Sequence, residues 1–446
     1  MAAAEPASII MGLDPVWLSS AIFLLTYILL VSERVHRSVA AMFGAGLMIL
    51  SGIITQDDAF DGVDFNTISL LAGMMILVGI TQRTGVFQYV AVWVVKKARG
   101  NPQGILLSLA TVTAVFSALF DNVTTVLLIV PVTLLIVEKL ELSPYPFLFA
   151  QIFASNIGGT ATLIGDPPNI MIGSAVGLTF ADFITELGPV VLVIHASVLA
   201  VLYLIWRKQL ISSAEARARI MAFDERGSIT DPRLLRQSLS VMALVIAGFI
   251  FGEHVGLLSG SVALGGAALL MLLYTAGRNG KEQSTRVDGI FSELEWSTIV
   301  FFMCLFMMVH GLSASGVLDL LGQHMVALTG SSLEATTFAT LWLAAFASSI
   351  VDNVPFVATM IPVLESTSPY LGGEEAMGPV WWALSLGACL GGNGTLVGAT
   401  ANIIVAGFAE RAGYPISFLR FLLLGLPVMC LCVAIACIYL YLRHFA

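Results

Sequence analysis

The chain has 446 residues, of which 58% are hydrophobic and only 11% are Asp, Glu, Lys or Arg, against about 25% charged residues in a soluble globular protein. That composition leaves no room for a soluble domain larger than a linker and points to a polytopic membrane protein. The formal charge of −9 says little about partners, since in so apolar a chain the position of each charge matters more than the sum; the lipid bilayer is the expected surrounding and nucleic acid is not an expected partner.

In chain order, residues 1–15 hold Glu5 and Asp14 but no Lys or Arg. They lack the basic region of a cleaved signal peptide and read as an external N-terminal segment. The apolar stretch 16–31 then reads as a retained helix. Stretches 189–206, 255–276 and 421–442 are similarly long and uncharged, close to the ~20 residues a bilayer span needs. Cysteines 304, 389, 430, 432 and 437 all lie in apolar sequence. An odd number with no metal-type spacing implies neither a disulfide framework nor a zinc site, and no metal or organic cofactor is expected.

The chain is built twice. SALFDNVTTVLLIVP (117–131) aligns with SSIVDNVPFVATMIP (348–362), and the same offset matches Thr67 to Thr298 and Gly85 to Gly316. SVAAMFGAGLMIL (38–50) matches SVALGGAALLMLL (261–273), and GGTATLIGDPPNI (158–170) matches GGNGTLVGATANI (391–403). The landmarks keep one order in both halves, so the expected organisation is a first repeat over 16–205, a charged linker over 206–237 and a second repeat over 238–446. Lys and Arg collect on the cytoplasmic side of membrane helices. If each repeat has about five spans and one re-entrant hairpin, with both termini outside, nineteen of the twenty basic residues fall inside; Arg443 is the exception. Asp57, Asp58, Asp61, Asp64, Glu374 and Glu375 fall outside. Five spans make an odd number, so the second repeat enters from the opposite face, an inverted-repeat architecture characteristic of transporters. The fold expected is therefore all-α and polytopic, with two inverted repeats and two helices broken at mid-membrane.

Those breaks are the glycine-rich phrases. Backbone groups cannot go unpaired in lipid, so Gly158, Gly159, Gly165, Pro167 and Pro168, with Gly391, Gly392 and Gly398 in the second copy, must sit against protein or a watery cavity. A broken helix offers carbonyls from one half and N–H groups from the other, while Thr162, Asn169, Thr395 and Asn402 add hydroxyl and amide partners. The apolar run 106–120 is short for a span, so Asp121–Asn122 reads as the tip of a hairpin, with Asp352–Asn353 as its mate. Two tips and two breaks then converge. An intramembrane Asp is costly and functional by default, which singles out Asp121, Asp352 and Asp166; the last has only Ala399 as its counterpart.

These residues resemble the ArsB/NhaD permeases of the ion transporter superfamily, in particular the branch containing the melanosomal P protein. The resemblance rests on SALFDNVTTVLLIVPVT, SNIGGTATLIGDPPNIMI, SSIVDNVPFVATMIPVL and ACLGGNGTLVGATANIIVAG, and extends over nearly the whole membrane region. It implies a scaffold part, a mobile transport part, elevator-like movement, often a homodimer, and a place in a bacterial inner membrane. The more distant divalent-anion/sodium symporters carry a neutral Ser at the hairpin tip; here Asp121 and Asp352 stand instead. A carboxylate can bind Na⁺ but can also carry a proton, and burial disfavours its charged form, which favours protons as the coupling ion with Na⁺ as the alternative. The resemblance to ArsB suggests export of arsenite or antimonite by proton antiport, a partner ATPase being allowed. No Lys or Arg lies in the four motifs, mildly against a multivalent anion. Na⁺/H⁺ antiport and small-anion transport are the alternatives within the class. An intramembrane aspartyl protease lacks its second motif, and a passive channel would not need the proton gradient. Cys389, beside Gly391, reads as packing rather than as an arsenic ligand.

Overall fold

Every regular element among the described residues is helical. The computed structural model describes residues 12–32, 34–222 and 226–446; most of the N-terminal segment expected outside lies beyond the described residues. The first repeat runs through α1 (Pro15–Ser32), α2 (Arg37–Leu50), the short α3 (Gln56–Asp61), α4 (Phe65–Gln82), α5 (Val86–Lys97), α6 (Pro102–Leu119), α7 (Asn122–Lys139), α8 (Tyr145–Gly159), α9 (Pro167–Val176) and α10 (Phe180–Trp206). The linker carries α11 (Ala214–Met221). The expected second repeat holds α12 (Pro232–Phe251), whose first turns fall inside the expected linker, then α13 (Ser259–Thr275), α14 (Gly280–Phe291), α15 (Trp296–Ala314), α16 (Val317–Thr329), α17 (Leu333–Ile350), α18 (Asn353–Thr367), α19 (Gly378–Gly391), α20 (Thr400–Arg411) and α21 (Phe418–His444). Nine of the described helices are long and apolar enough to cross a membrane, and α2, α13 and α16 are shorter apolar helices. The chain is an all-α polytopic membrane protein.

From α4 to α9 the elements recur one for one in α15 to α20, although the aspartate caps of α4 and α7 have no side-chain counterpart at Glu295 and Asp352. Asp64 caps α4 by accepting from the Asn66 and Thr67 amides at 2.9 and 3.2 Å. Asp121 caps α7 through the Thr124 amide at 2.7 Å. Pro131 and Pro362 lie inside α7 and α18 at the matched position. Gly85 and Gly316 both take left-handed φ values, +79° and +81°, at the start of α5 and α16, where a side chain would be strained. The sequence marks these two short helices only by their glycines; the structure makes them separate elements. The first hairpin arm also begins earlier than the apolar run suggests, because Pro102 starts α6 at its first turn, where a missing N–H costs nothing. Both arms have 18 residues.

The repeats interlock instead of sitting side by side. α4 packs on α13 while α2 packs on α15, the same pairing with the repeats exchanged. Likewise α7 meets α20 and α9 meets α18. Each hairpin's first arm lies tightly along the first half of its own broken helix, α6 on α8 and α17 on α19. Glycine makes this possible. A Cβ on Gly158 would run into the backbone of Ala114, and one on Gly391 would meet the Ala345 carbonyl at 2.5 Å.

Candidate functional site

The two breaks are sewn shut by asparagine. After α8 ends at Gly159, residues 160–166 leave the helix, and the Asn169 amide, from the first turn of α9, donates back to the carbonyls of Thr160 and Thr162 at 3.2 and 2.9 Å. Asn402 does the same for Gly392 and Thr395 at 2.7 and 2.9 Å. Thr162 and Thr395 tie the breaks to the hairpins: the Thr162 hydroxyl donates to the Ala118 carbonyl at 2.5 Å and the Thr395 hydroxyl to the Ser349 carbonyl. In this structure these four side chains satisfy exposed backbone, as a break buried from water demands. Gly159, Gly165, Gly392 and Gly398 allow the two edges of each loop to touch: a Cβ on Gly165 would lie 2.5 Å from the Gly159 carbonyl, and one on Gly398 would lie 3.0 Å from that of Gly392.

Polar contacts also run across the pseudo-symmetric halves. Asn122 donates to Asn156 at 3.4 Å, and Asn156 donates to Asn393 and Asn402 at 3.1 and 3.0 Å. Asn353, the mate of Asn122, donates to Asp166 Oδ1 at 3.2 Å. Asp166 is 1% exposed and does not cap α9 with its side chain. Its Oδ2 takes no hydrogen bond. The Cys389 thiol lies beside it but donates to Asn169 Oδ1 at 3.4 Å, which leaves Cys389 a buried packing and hydrogen-bonding residue.

One cavity of about 60 Å³ collects the remaining motif residues. Asp121, Asn122, Asp166, Asp352 and Asn353 all line it, together with Ala399 and Thr400 of the second break. The lining residues outside the motifs include Arg37 from α2 and Glu295, Thr298 and Phe301 from the start of α15. The Arg37 guanidinium donates to the hydroxyls of Thr298 (2.8 Å) and Thr400 (3.0 Å), and it stands 3.6 Å from Asp352 Oδ2. Thr298 in turn donates to Glu295 Oε2 at 2.8 Å, and Thr400 to Asp352 Oδ2 at 3.1 Å. By sequence Arg37 reads as one more basic residue at a cytoplasmic helix end; its place at the first turn of α2 draws it inward instead. A signal was present in the Thr67–Thr298 match, since Asp64 and Thr67 form the same acid–hydroxyl pair at the start of α4 that Glu295 and Thr298 form at the start of α15.

No cluster of three or more His, Cys, Asp or Glu among the described residues has the geometry to hold a metal ion.

The model of the citrate transporter family (CitMHS) matches residues 27–387. This chain belongs to the citrate transporter family. An uncharacterized transporter of Mycobacterium tuberculosis is 43% identical over 95% of this chain and 97% of its own length. The human P protein is 33% identical over 96% of this chain and 60% of its length, so the kinship with P proteins read from the motifs holds. Among solved structures, the YdaH transporter of Alcanivorax borkumensis superposes with a TM-score of 0.60 at 15% identity, covering 96% of this citrate-transporter-family chain and 98% of its own; at that identity the fold alone is shared. The chain is thus an integral membrane transporter.

Proposed function

We propose that this protein is a secondary active transporter of a small carboxylate anion, coupled to protons carried by Asp121, Asp166 and Asp352, with the repeats inverted about the cavity and the hairpins and broken helices moving as the transport part. One observation carries the reading: both hairpin tips and both breaks meet at a single cavity that holds three aspartates, Glu295 and a half-buried arginine. Arg37 is the cationic group whose apparent absence from the motifs spoke against an anion, and its fork of donors suits a carboxylate. The family's description as citrate transporters supports the same class. Four carboxylates against one guanidinium repel an anion unless protons enter with it, so anion transport through this cavity is symport.

Export of arsenite or antimonite by proton antiport is the second reading. The hydroxyls of Thr298 and Thr400 and the amides of Asn122 and Asn353 line the cavity and suit a neutral trihydroxide. The coupling sign separates the two. In proteoliposomes with a luminal pH dye, external citrate or a smaller dicarboxylate is expected to acidify the lumen. Arsenite or antimonite driving luminal alkalinisation establishes antiport instead, and a response to Na⁺ alone moves the protein to Na⁺/H⁺ exchange. If none of these solutes moves protons, proton coupling is refuted.

A further inference from the structure

The Arg37 cluster lies at a boundary between two cavities of unequal size. On one side is the central cavity of about 60 Å³, room for a few waters and no more. On the other is a vestibule of about 570 Å³ beside the turn between α1 and α2, lined by Ser32, His36, Val351 and Ile403 among others. Arg37, Phe301, Asp352 and Thr400 line both. These four side chains border both cavities, and the polar members of this partition are joined to one another. Phe301 is its apolar member, with its ring centroid 5.7 Å from the guanidinium carbon.

The partition also joins parts of the fold that must separate for anything to pass. Arg37 and Thr298 belong to the packed pair α2 and α15. Asp352 is the tip of the second hairpin, and Thr400 opens the second half of the second broken helix. The first hairpin has no such tie: Asp121 spends both oxygens on Thr124 of its own helix, the amide at 2.7 Å and the hydroxyl at 2.5 Å. In the alignment of 38–50 with 261–273, the position that matches Arg37 is Gly260, so the partition is built on one side only.

We propose that Arg37 is a gating residue, a bolt that closes the central cavity to the vestibule and must leave Asp352 and Thr400 before a solute can move between them. This rests on the central cavity being the solute's route. Arg37 acts by position: it holds the hairpin tip and the second break against α2 and α15, and its withdrawal merges the small cavity with the large one.

The test uses the full chain with its five cysteines replaced by alanine and one reporter cysteine restored. Val354→Cys places the reporter on the central cavity only, and Ser32→Cys places it in the vestibule. Proteoliposomes receive a membrane-impermeant sulfonate methanethiosulfonate reagent on both faces, and modification rates are compared. With Arg37 present, the reporter at 354 is expected to react at least about tenfold more slowly than the one at 32, and Arg37→Ala is expected to close most of that gap, as loss of one charge-assisted network would. Arg37→Lys, a point charge unable to reach three acceptors together, should give an intermediate rate. It carries the comparison alone if the alanine variant fails to yield a monodisperse protein. Equal rates for 354 and 32 with Arg37 intact, or a rate at 354 unchanged by either substitution, overturn the proposal. Neither solute nor proton gradient enters the measurement, so it is decided independently of the coupling experiment.

Discussion

Asp121 and Asp352 hold matching places in the sequence, yet they do different work in the structure. The first caps α7 and is satisfied by its own helix; the second leaves its helix uncapped and reaches Thr400 and Arg37. Asp166 differs from both, with one oxygen held by Asn353 and the other unpartnered. A buried carboxylate that keeps a free oxygen on a cavity wall is the group best placed to take up a proton. Asp166→Asn keeps the size of the side chain and the contact with Asn353, so the variant should retain the fold and its elution from gel filtration. Solute-driven proton flux should nevertheless fall to that of empty liposomes; flux undiminished in the variant would remove Asp166 from the coupling machinery. The three aspartates were legible in the sequence because a charge in apolar sequence announces its cost. Arg37 and Glu295 were not, since each sits at the first turn of a helix beside loop charges, where sequence alone cannot tell a side chain facing water from one turned into the protein.

The broken helices were legible as breaks, but not for the reason that holds them together. Gly, Pro and Asn in apolar sequence marked where α8 and α19 end. Two facts needed the three-dimensional arrangement: the asparagine two residues into each second half-helix returns to pair the open carbonyls, and Gly158 and Gly391 are spaces for the neighbouring hairpin arm. Both lead to measurable consequences. Gly158→Ala forces a methyl into the Ala114 backbone, an overpacking that typically costs about 1–3 kcal/mol. Gly46, on α2, faces open space, with nothing within 4 Å of where a Cβ would stand, and alanine there should be neutral or stabilising by up to about 1 kcal/mol, the helix-propensity difference. Thermal unfolding in detergent compares the pair directly. Similar melting temperatures for the two variants would show that the α6–α8 approach is looser than it stands here. Asn402→Ala should rank with Gly158→Ala, because it leaves the carbonyls of Gly392 and Thr395 unpaired where about 1–3 kcal/mol attaches to each orphan.

At the scale of the whole molecule, the duplicated order of elements and the exchanged pairs α2–α15 and α4–α13 are what two like units related by a two-fold operation would show. Whether that operation turns the second unit upside down depends on which face of the membrane each end of the repeat meets. Charge placement favours inversion. Arg207, Lys208, Arg217, Arg219, Arg233 and Arg236 concentrate in and beside the linker, where α11 ties Arg219 to Glu141 at the base of the first hairpin. Asp57, Asp58 and Asp61 lie within α3, while Glu374 and Glu375 precede α19, with no basic residue beside either group. Basic residues near helix ends are retained on the cytoplasmic side, so the linker should be inside and both acidic turns outside, one from each repeat. Asp57, Glu215 and Glu374 are all exposed, so each tolerates a single reporter cysteine in a cysteine-free background. In intact cells, an impermeant maleimide should label cysteine at 57 and at 374 and leave 215 untouched until the membrane is opened. Labelling at 57 but not at 374 would mean the repeats run parallel, which would place the two hairpin tips on the same side of the cavity and remove the structural basis for alternating access from opposite faces.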